Sequence, residues 1–470
     1  MYSKDDTICA ISTPPGRGAI AVIRCSGPDA IGICDKIIRL PSEKGKLSKQ
    51  AGNTLHFCNV ADGDQLLDQV VVSLFRMPHS YSGEDTIEIS CHGSPYIQKR
   101  ILELLVQSGA RMATAGEFTM RAFLNGKLDL TQVEAVADLI ASGSTAAHRV
   151  AMSQMRGGFT KEIKKLRDRL LHFTSLVELE LDFGEEDVEF ADRSQLRSLL
   201  NEITGVLEHL KDSFALGNVI KNGIPVAIVG KTNAGKSTLL NLLLSEDRAI
   251  VSEIEGTTRD SIEDVISIRG IHFRLIDTAG LRHTSDEIEK LGIERTWQKI
   301  DQASIILLVL DVNSDPDEMV RFRSKMKAMP NESEKRKIIV LNKIDLVSSQ
   351  ELDGKKNLVE KIFNDREIII PLSARSGTHL SHLEQALVNA SGAVSTDEND
   401  VIITNLRHFE ALDKALSAMQ RATNGLSTGM TGDLLSQDIR EAMHYLGEIT
   451  GEITNDEVLG NIFKNFCIGK

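Results

Sequence analysis

The sequence predicts a multidomain chain of α/β and α character. It has an N-terminal α+β domain, a helical bundle split in two halves, and an α/β domain with a doubly wound sheet inserted between them. Three observations predict this. Apolar residues alternate with period two in several stretches of residues 1–125. They recur with helical period on both sides of residues 222–385. Within 222–385, continuous apolar strands alternate with helices, the pattern of a parallel sheet covered on both faces.

The chain has 470 residues, enough for two or three domains, and at 41% hydrophobic it can bury ample core. Aromatics are only 4%, which favours aliphatic helix packing over aromatic-rich β architecture. The net charge of −13 works against nonspecific nucleic-acid binding, so any RNA contact needs a local basic patch or a partner. The six cysteines form no CxxC pair, and reduced thiols are the default. The N-terminus lacks a basic, apolar signal pattern, and no run of eighteen apolar residues occurs. The expectation is a cytoplasmic protein with no membrane segment.

In residues 1–125, strands are expected at Thr7–Ser12, Ala19–Cys25, Leu55–Val60, Val70–Phe75 and Thr86–Cys91. Val70, Val72 and Leu74 alternate with other residues, as do Ile87, Ile89 and Cys91. Ala61-Asp62-Gly63-Asp64 is a turn signal. Tyr96–Gln107 reads as a helix stopped by Gly109. From 126 to 221 the period is helical: Ile163, Leu166, Leu170, Phe173 and Val177 form one stripe. Leu196, Leu199, Ile203, Val206, Leu210 and Phe214 form another. Helical stripes return in 386–470 with Phe409, Leu412, Leu416 and Met419, then Leu435, Ile439, Leu446 and Ile449. A bundle interrupted by residues 222–385 is the economical arrangement; two separate helical domains are the alternative.

The inserted segment has strands at Val226–Val229, Phe273–Ile276, Ile305–Leu310, Ile338–Leu341 and Ile368–Pro371. After the first comes Gly230-Lys231-Thr232-Asn233-Ala234-Gly235-Lys236-Ser237-Thr238, a match to G-x-x-x-x-G-K-[ST]. Strand, glycine loop and helix is the order a phosphate cradle requires, with backbone N–H groups and a helix N-terminus facing the anion. Lys236 would reach the β- and γ-phosphates and the Ser237 hydroxyl would bind magnesium.

Further parts of a GTP site follow later strands in order. Asp277-Thr278-Ala279-Gly280 suits magnesium through water and a γ-phosphate bond from the Gly280 N–H. Asn342-Lys343-Ile344-Asp345 suits base recognition. The Asp345 carboxylate can accept from guanine N1–H and the exocyclic amine together, a pair adenine does not offer. Asn342 would tie loops together, the Lys343 stem would cover the base, and Ser373-Ala374-Arg375 would complete the pocket. Thr258, in Gly256-Thr257-Thr258-Arg259, is placed to add a magnesium ligand. Together these read as a P-loop, Ras-like G domain.

Hydrolysis is less legible. Ras-like enzymes place a water-orienting Gln just after D-x-x-G, and here that residue is Leu281. Asp286, Glu287 and Glu289 are then equal candidates. Asn233 has two readings: a turn former, or a neutral oxygen that, with oxygens of the Ser252–Thr257 loop, ligates a monovalent cation in place of an arginine finger.

These motifs, with Pro14-Pro15-Gly16-Arg17-Gly18, Tyr81-Ser82-Gly83-Glu84-Asp85, Phe123-Leu124-Asn125-Gly126-Lys127-Leu128-Asp129-Leu130 and the tail Cys467-Ile468-Gly469-Lys470, resemble the MnmE (TrmE) family of tRNA-modification GTPases over essentially the whole chain. The resemblance implies four segments: 1–125, a folate-binding domain that forms a homodimer; 126–221, the first helical half; 222–385, the G domain; 386–470, the second helical half. It implies a flavin-dependent (FAD) partner, MnmG, and modification of carbon five of the wobble uridine of certain tRNAs with a one-carbon unit from a 5-formyl- or methylene-tetrahydrofolate. It implies potassium on Asn233, Ser252, Ile254 and Thr257, magnesium on Ser237 and Thr258, and Glu289 as the water-positioning residue. The folate site would use Arg24, Glu84, Lys127 and Lys470, and Cys467 would be the tail cysteine associated with the modification. Lys231 and Thr232 stand where the family often has Arg-Pro, and Ser252 replaces a common Thr; neither change removes a ligand.

Two other functions compete. An Era-like ribosome-assembly switch shares the loops but usually adds a basic RNA-binding module, which this acidic chain lacks. A folate-dependent one-carbon enzyme with a regulatory GTPase is the third.

Overall fold

A computed structural model of the chain describes residues 6–41, 45–182, 193–231, 233–246, 264–276, 303–327, 335–363, 367–391, 401–428, 430–454, 456–464 and 466–469. The chain divides into two compact units. One comprises Met1–Ile140, Met152–Thr204 and Asp413–Lys470; the other comprises Ala141–Ala151 and Gly205–Leu412.

The first unit contains a seven-stranded sheet of β1 (Ile8–Ile11), β2 (Ile20–Ser26), β3 (Ile38–Arg39), β4 (Thr54–Asp62), β5 (Gln65–Phe75), β6 (Thr86–His92) and β7 (Arg111–Met112), in the order β3-β4-β5-β6-β2-β1-β7. Pairing is antiparallel except between β1 and β7. The period-two residues point inward: Val70, Val72, Leu74, Ile87, Ile89 and Cys91 are all buried. Side chains on the other face of a strand follow the opposite parity, and there Leu55 and Phe57 are 71% and 61% exposed. β4 and β5 form a hairpin in which Asp62 pairs with Gln65 and Gly63 takes φ 61°, at the turn the sequence signalled.

Helix α1 (Ala30–Ile37) and helix α2 (Pro95–Gln107) pack on this sheet, and α3 (Glu117–Leu124) follows β7. The period argument did not find α1, α3, β3 or β7. The strands are two residues long and the helices eight, too short for a periodic signal to rise above noise.

The helical part of this unit is built on α4 (Leu130–Ala141), α5 (Thr145–Met155), α6 (Gly158–Asp182) and α7 (Arg193–Asn222). α5 and α7 also contribute residues to the second unit. In α6 the stripe Ile163, Leu166, Leu170 and Phe173 is buried as expected. In α7 the buried line is Leu196, Leu200, Ile203, Leu207 and Leu210. It runs one residue away from the expected Leu199 and Val206, because two adjacent leucine-rich diagonals compete in that segment and packing chooses between them.

The second unit carries a six-stranded sheet of β8 (Ile224–Val229), β9 (Asp264–Ile268), β10 (Ile271–Ile276), β11 (Ile305–Asp311), β12 (Arg336–Asn342) and β13 (Ile368–Leu372). Its order is β13-β12-β11-β8-β10-β9. Two cores flank it. Val226, Leu239, Leu275, Leu307, Val340 and Leu387 lie in one; Ala227, Val229, Ile306, Leu308, Leu341 and Phe363 lie in the other. The helices of these cores are α8 (Lys236–Glu246), α9 (Pro316–Lys327), α10 (Ser349–Phe363) and α11 (Leu380–Ser391). Burial on both faces explains the unbroken apolar runs; each fully buried Leu or Ile stabilises by about 1.5–3 kcal/mol.

The five expected strands pair in parallel, and a sixth, β9, joins them at one edge. β9 pairs with β10 antiparallel. Arg269 and Gly270 connect them with φ 52° and 78°, and two positive φ values define the tight turn that matches hairpin twist. β9 was missed because it is only five residues long and opens on a charged residue, Asp264.

The remaining helices are α12 (Leu406–Ser427), α13 (Gly432–Thr450) and α14 (Asp456–Lys464). Leu412, Leu416, Met419, Leu435, Ile439, Leu446 and Ile449 are all buried, and α13 packs along α6. Among the described residues no helix is long and apolar enough to cross a membrane.

Candidate nucleotide site

β8 lies between β10 and β11: the strands that follow it, β9 and β10, lie on one side of it, and the next, β11, lies on the other, so the strand order reverses at β8. Such a switch point opens a crevice at the carboxyl ends of the strands, where open α/β sheets bind ligands. The loop Gly230–Gly235 occupies that place, between β8 and α8.

Two glycines are demanded by close approach. Gly230 has φ 156°, and a Cβ there would stand 2.2 Å from the Val309 carbonyl oxygen of β11. Gly235 has φ 96°, and a Cβ there would stand 2.1 Å from Asn342 Nδ2. The second contact shows how the loop is held. Asn342 Nδ2 donates to the Ala234 carbonyl at 2.8 Å, and Asn342 Oδ1 accepts from the Ala374 N–H at 2.9 Å. One buried amide side chain therefore ties the glycine loop to the segment after β13. Leaving both ends of that amide unpaired would cost about 1–3 kcal/mol per buried group.

Asn233 has φ 66° and is exposed. Its backbone is the left-handed conformation that Asn tolerates, which is the turn-forming reading; its exposed side chain is also free to meet a ligand. Ala234 is buried, while Ser237 and Thr238 are exposed in the first turn of α8. The Lys236 ammonium is half-buried and donates to the carbonyls of Gly230 and Lys231, both at 2.7 Å. Burial pushes its pKa below the ordinary lysine value. A nearby polyanion would relieve that penalty.

The base-reading side is equally built. Ser373 Oγ donates to Asp345 Oδ1 at 2.7 Å, which fixes one carboxylate oxygen of an otherwise exposed side chain. Ser373 is itself held by a bridge to Thr378. Arg375 is exposed. Lys343 takes φ 67°, and its ammonium lies 2.7 Å from Asp311 Oδ2. The sequence reading missed Asp311. Its signal was an acidic residue ending the apolar run Ile305–Leu310, where such residues face the crevice.

The structure thus brings Asn233, Ala234, Gly235, Lys236, Ser237 and Thr238 into one loop and helix start. Asn342, Lys343, Asp345, Ser373, Ala374 and Arg375 join them through the Asn342 tie. Ser252, Ile254, Thr257, Thr258, Asp277, Thr278, Ala279, Gly280 and Glu289 lie outside the described residues, as do Asp286 and Glu287.

In the first unit, Arg24 is stacked on Tyr81 and Phe118, at 5.2 and 5.4 Å from the ring centroids, and pairs with Glu88 at 2.8 Å. Glu84 accepts from Ser26 Oγ at 2.9 Å and from Arg121 at 3.2 Å. Arg121 also bonds Asp6 and Glu117. Burial pushes the Glu117 carboxyl up, but bonds from Arg111, the Thr114 N–H and Arg121 outweigh it and hold the group below the ordinary range. Lys127 is exposed, and its stem lies 3.1 Å from where a Gly83 Cβ would stand.

The tail docks on the same unit. The Gly116 N–H donates to the Cys467 carbonyl at 3.3 Å, Ile468 bridges Ala115, and Ser12 Oγ donates to the Gly469 carbonyl at 3.0 Å. Cys467 is exposed one residue before that bridge. Lys470 lies outside the described residues. Spacing alone missed Glu88, Arg121 and the aromatic pair, because these contacts join segments far apart in the chain, 64 residues for Arg24 and Glu88 and 37 for Arg121 and Glu84.

The family model "GTP-binding protein TrmE N-terminus" matches residues 7–127, and "MnmE helical domain" matches residues 130–467. A tRNA modification GTPase MnmE of Bacteroides thetaiotaomicron is 55% identical over 466 residues, covering 99% of each chain. One of Bacteroides fragilis is 56% identical over 467 residues with the same coverage. Among solved structures, an Era protein of Aquifex aeolicus bound to GDP.AlF4- is 27% identical, with a TM-score of 0.27, over 42% of this chain and 66% of its own.

Proposed function

The chain belongs to the MnmE (TrmE) family of tRNA modification GTPases, and from that premise we propose a potassium-dependent GTP hydrolase that modifies carbon five of the wobble uridine of certain tRNAs. In this reading it acts in the cytoplasm with a flavin-dependent partner, MnmG, and takes the one-carbon unit from a tetrahydrofolate. The observation that carries the nucleotide half is the Asn342 tie, which binds the phosphate loop to the base-reading segment.

Geometry supports the roles of the described residues, and family membership supports those of the residues outside them. Loop amides and Lys236 hold the phosphates, while Asp345, fixed by Ser373, accepts from the guanine edge. Ser237 and Thr258 would hold magnesium, and Asn233, Ser252, Ile254 and Thr257 would hold potassium. The exposed Ser237 hydroxyl and Asn233 side chain suit such ions. These cations neutralise charge that develops on the phosphoryl oxygens. Glu289 orients the attacking water.

The folate half rests on the first unit. Glu84 is held in place by Ser26 and Arg121, a carboxyl acceptor suited to the N–H edge of a pterin. The exposed Lys127 suits a glutamyl carboxylate. Arg24, already paired with Glu88, walls the site through Tyr81 and Phe118 and does not serve as a free cation. Lys470 would complete the site, and Cys467 would serve the modification. The outward apolar face of β4 and β5, where Phe57 pairs with Val71, supports homodimerisation through this domain.

Hydrolysis compared in potassium and sodium at equal ionic strength tests the cation assignment. Potassium is expected to give a rate higher by about tenfold or more, the effect of one well-placed charge at the transferring phosphoryl group. Equal rates would remove Asn233 from that role and leave it a turn former.

A further inference from the structure

β11 ends on Asp311 and β12 ends on Asn342, and the two are partners in register. The Val312 N–H donates to the Asn342 carbonyl at 2.9 Å, so the two strand ends are locked together. The next residue, Lys343, turns the chain in the left-handed region. Its ammonium reaches back across the strand ends to Asp311 Oδ2, while Asp311 Oδ1 accepts from the Asn313 N–H at 2.9 Å. Burial pushes the Asp311 carboxyl up, but the Lys343 and Asn313 bonds outweigh it and keep the group ionised. The Lys343 stem is therefore fixed at both ends, by its backbone and by its ammonium.

A lysine stem left to itself samples many rotamers, and ordering it when ligand arrives weakens binding. We propose that Asp311 is a positioning residue for the guanine-nucleotide site. It presets the Lys343 stem as one wall of the base pocket, beside the carboxylate that Ser373 fixes at Asp345. This rests on the guanine reading above and adds a residue outside the N-K-x-D motif. An ion pair that merely joined two strand ends would lower thermal stability and leave nucleotide affinity alone.

The test is a double-substitution cycle on the full chain: Asp311→Ala, Lys343→Ala and the pair together, titrated with a fluorescent GDP analogue. The Tm of each nucleotide-free protein is recorded alongside. Asp311→Ala is expected to weaken binding about threefold to tenfold, mainly through faster release, and to add nothing once Lys343 is alanine. Asp311→Asn keeps the shape and the Asn313 bond, and it should show the loss even where alanine lowers the Tm. Unchanged GDP affinity in both Asp311 variants would overturn the proposal, as would a penalty that persists in full without Lys343. A wild-type chain that binds no GDP would strike the guanine reading itself, which is a separate failure.

Discussion

Replacing Lys236 with alanine is expected to weaken GTP binding by about a hundredfold or more and to abolish measurable hydrolysis. The side chain is half-buried at the first turn of α8, with its ammonium 2.7 Å from two loop carbonyls. Burial there already disfavours the charge, so the site bears an electrostatic cost in order to keep a cation beside the cradle. The ammonium bonds two loop carbonyls, but backbone fit also holds the loop. Gly230 is fitted against Val309 and Gly235 against Asn342, so the variant should keep its fold and lose its ligand. Nucleotide titration and single-turnover hydrolysis, with the Tm as a check on folding, measure this. An affinity within about threefold of wild type would show that the ammonium does not meet phosphate.

Asp345→Asn is the second large effect. The carboxylate is set by the Ser373 hydroxyl, and an ionised oxygen pair accepts both N1–H and the amine of guanine. An asparagine in the same place turns one acceptor into a donor aimed at that amine. The mismatch should weaken GDP binding by about a thousandfold or more. Xanthine carries a carbonyl oxygen where guanine carries the amine, so xanthosine diphosphate should gain what GDP loses. Competition between the two nucleotides reads this directly. A variant that still prefers GDP would place the base elsewhere.

Much of this was legible in the sequence because strands and helices advertise themselves through burial. Ile163, Leu166 and Leu170 are buried along one line of α6, as the helical period requires. The inward parity of Val70, Val72 and Leu74 was likewise visible. In α7 Leu196, Ile203 and Leu210 are buried as expected, while Leu200 and Leu207 take the places of Leu199 and Val206, since neighbouring residues satisfy the period almost equally and only tertiary packing separates them. β9 escaped because its partner is a hairpin neighbour, and the Arg269-Gly270 turn is not one of the strongest hairpin signals.

The site shows the same division. Glycine spacing and strand order put Lys236, Asn342 and Asp345 at or after the carboxyl ends of strands, since each motif is local and follows a strand. Contacts between side chains far apart in sequence were not legible. Asp311 reaches Lys343 from the neighbouring strand end, and Arg121 reaches Glu84 from another element. Neither has a local pattern to reveal it, and both became visible only through register and packing.

The most direct measurement is a titration of the purified full-length chain with GDP and with ADP under the same magnesium concentration. A site in which loop amides and Lys236 grip phosphate while Asp345 reads the base should favour GDP by about a thousandfold or more. Equal affinity for the two nucleotides would contradict the account at its centre, because the phosphate grip would then stand without any reading of guanine.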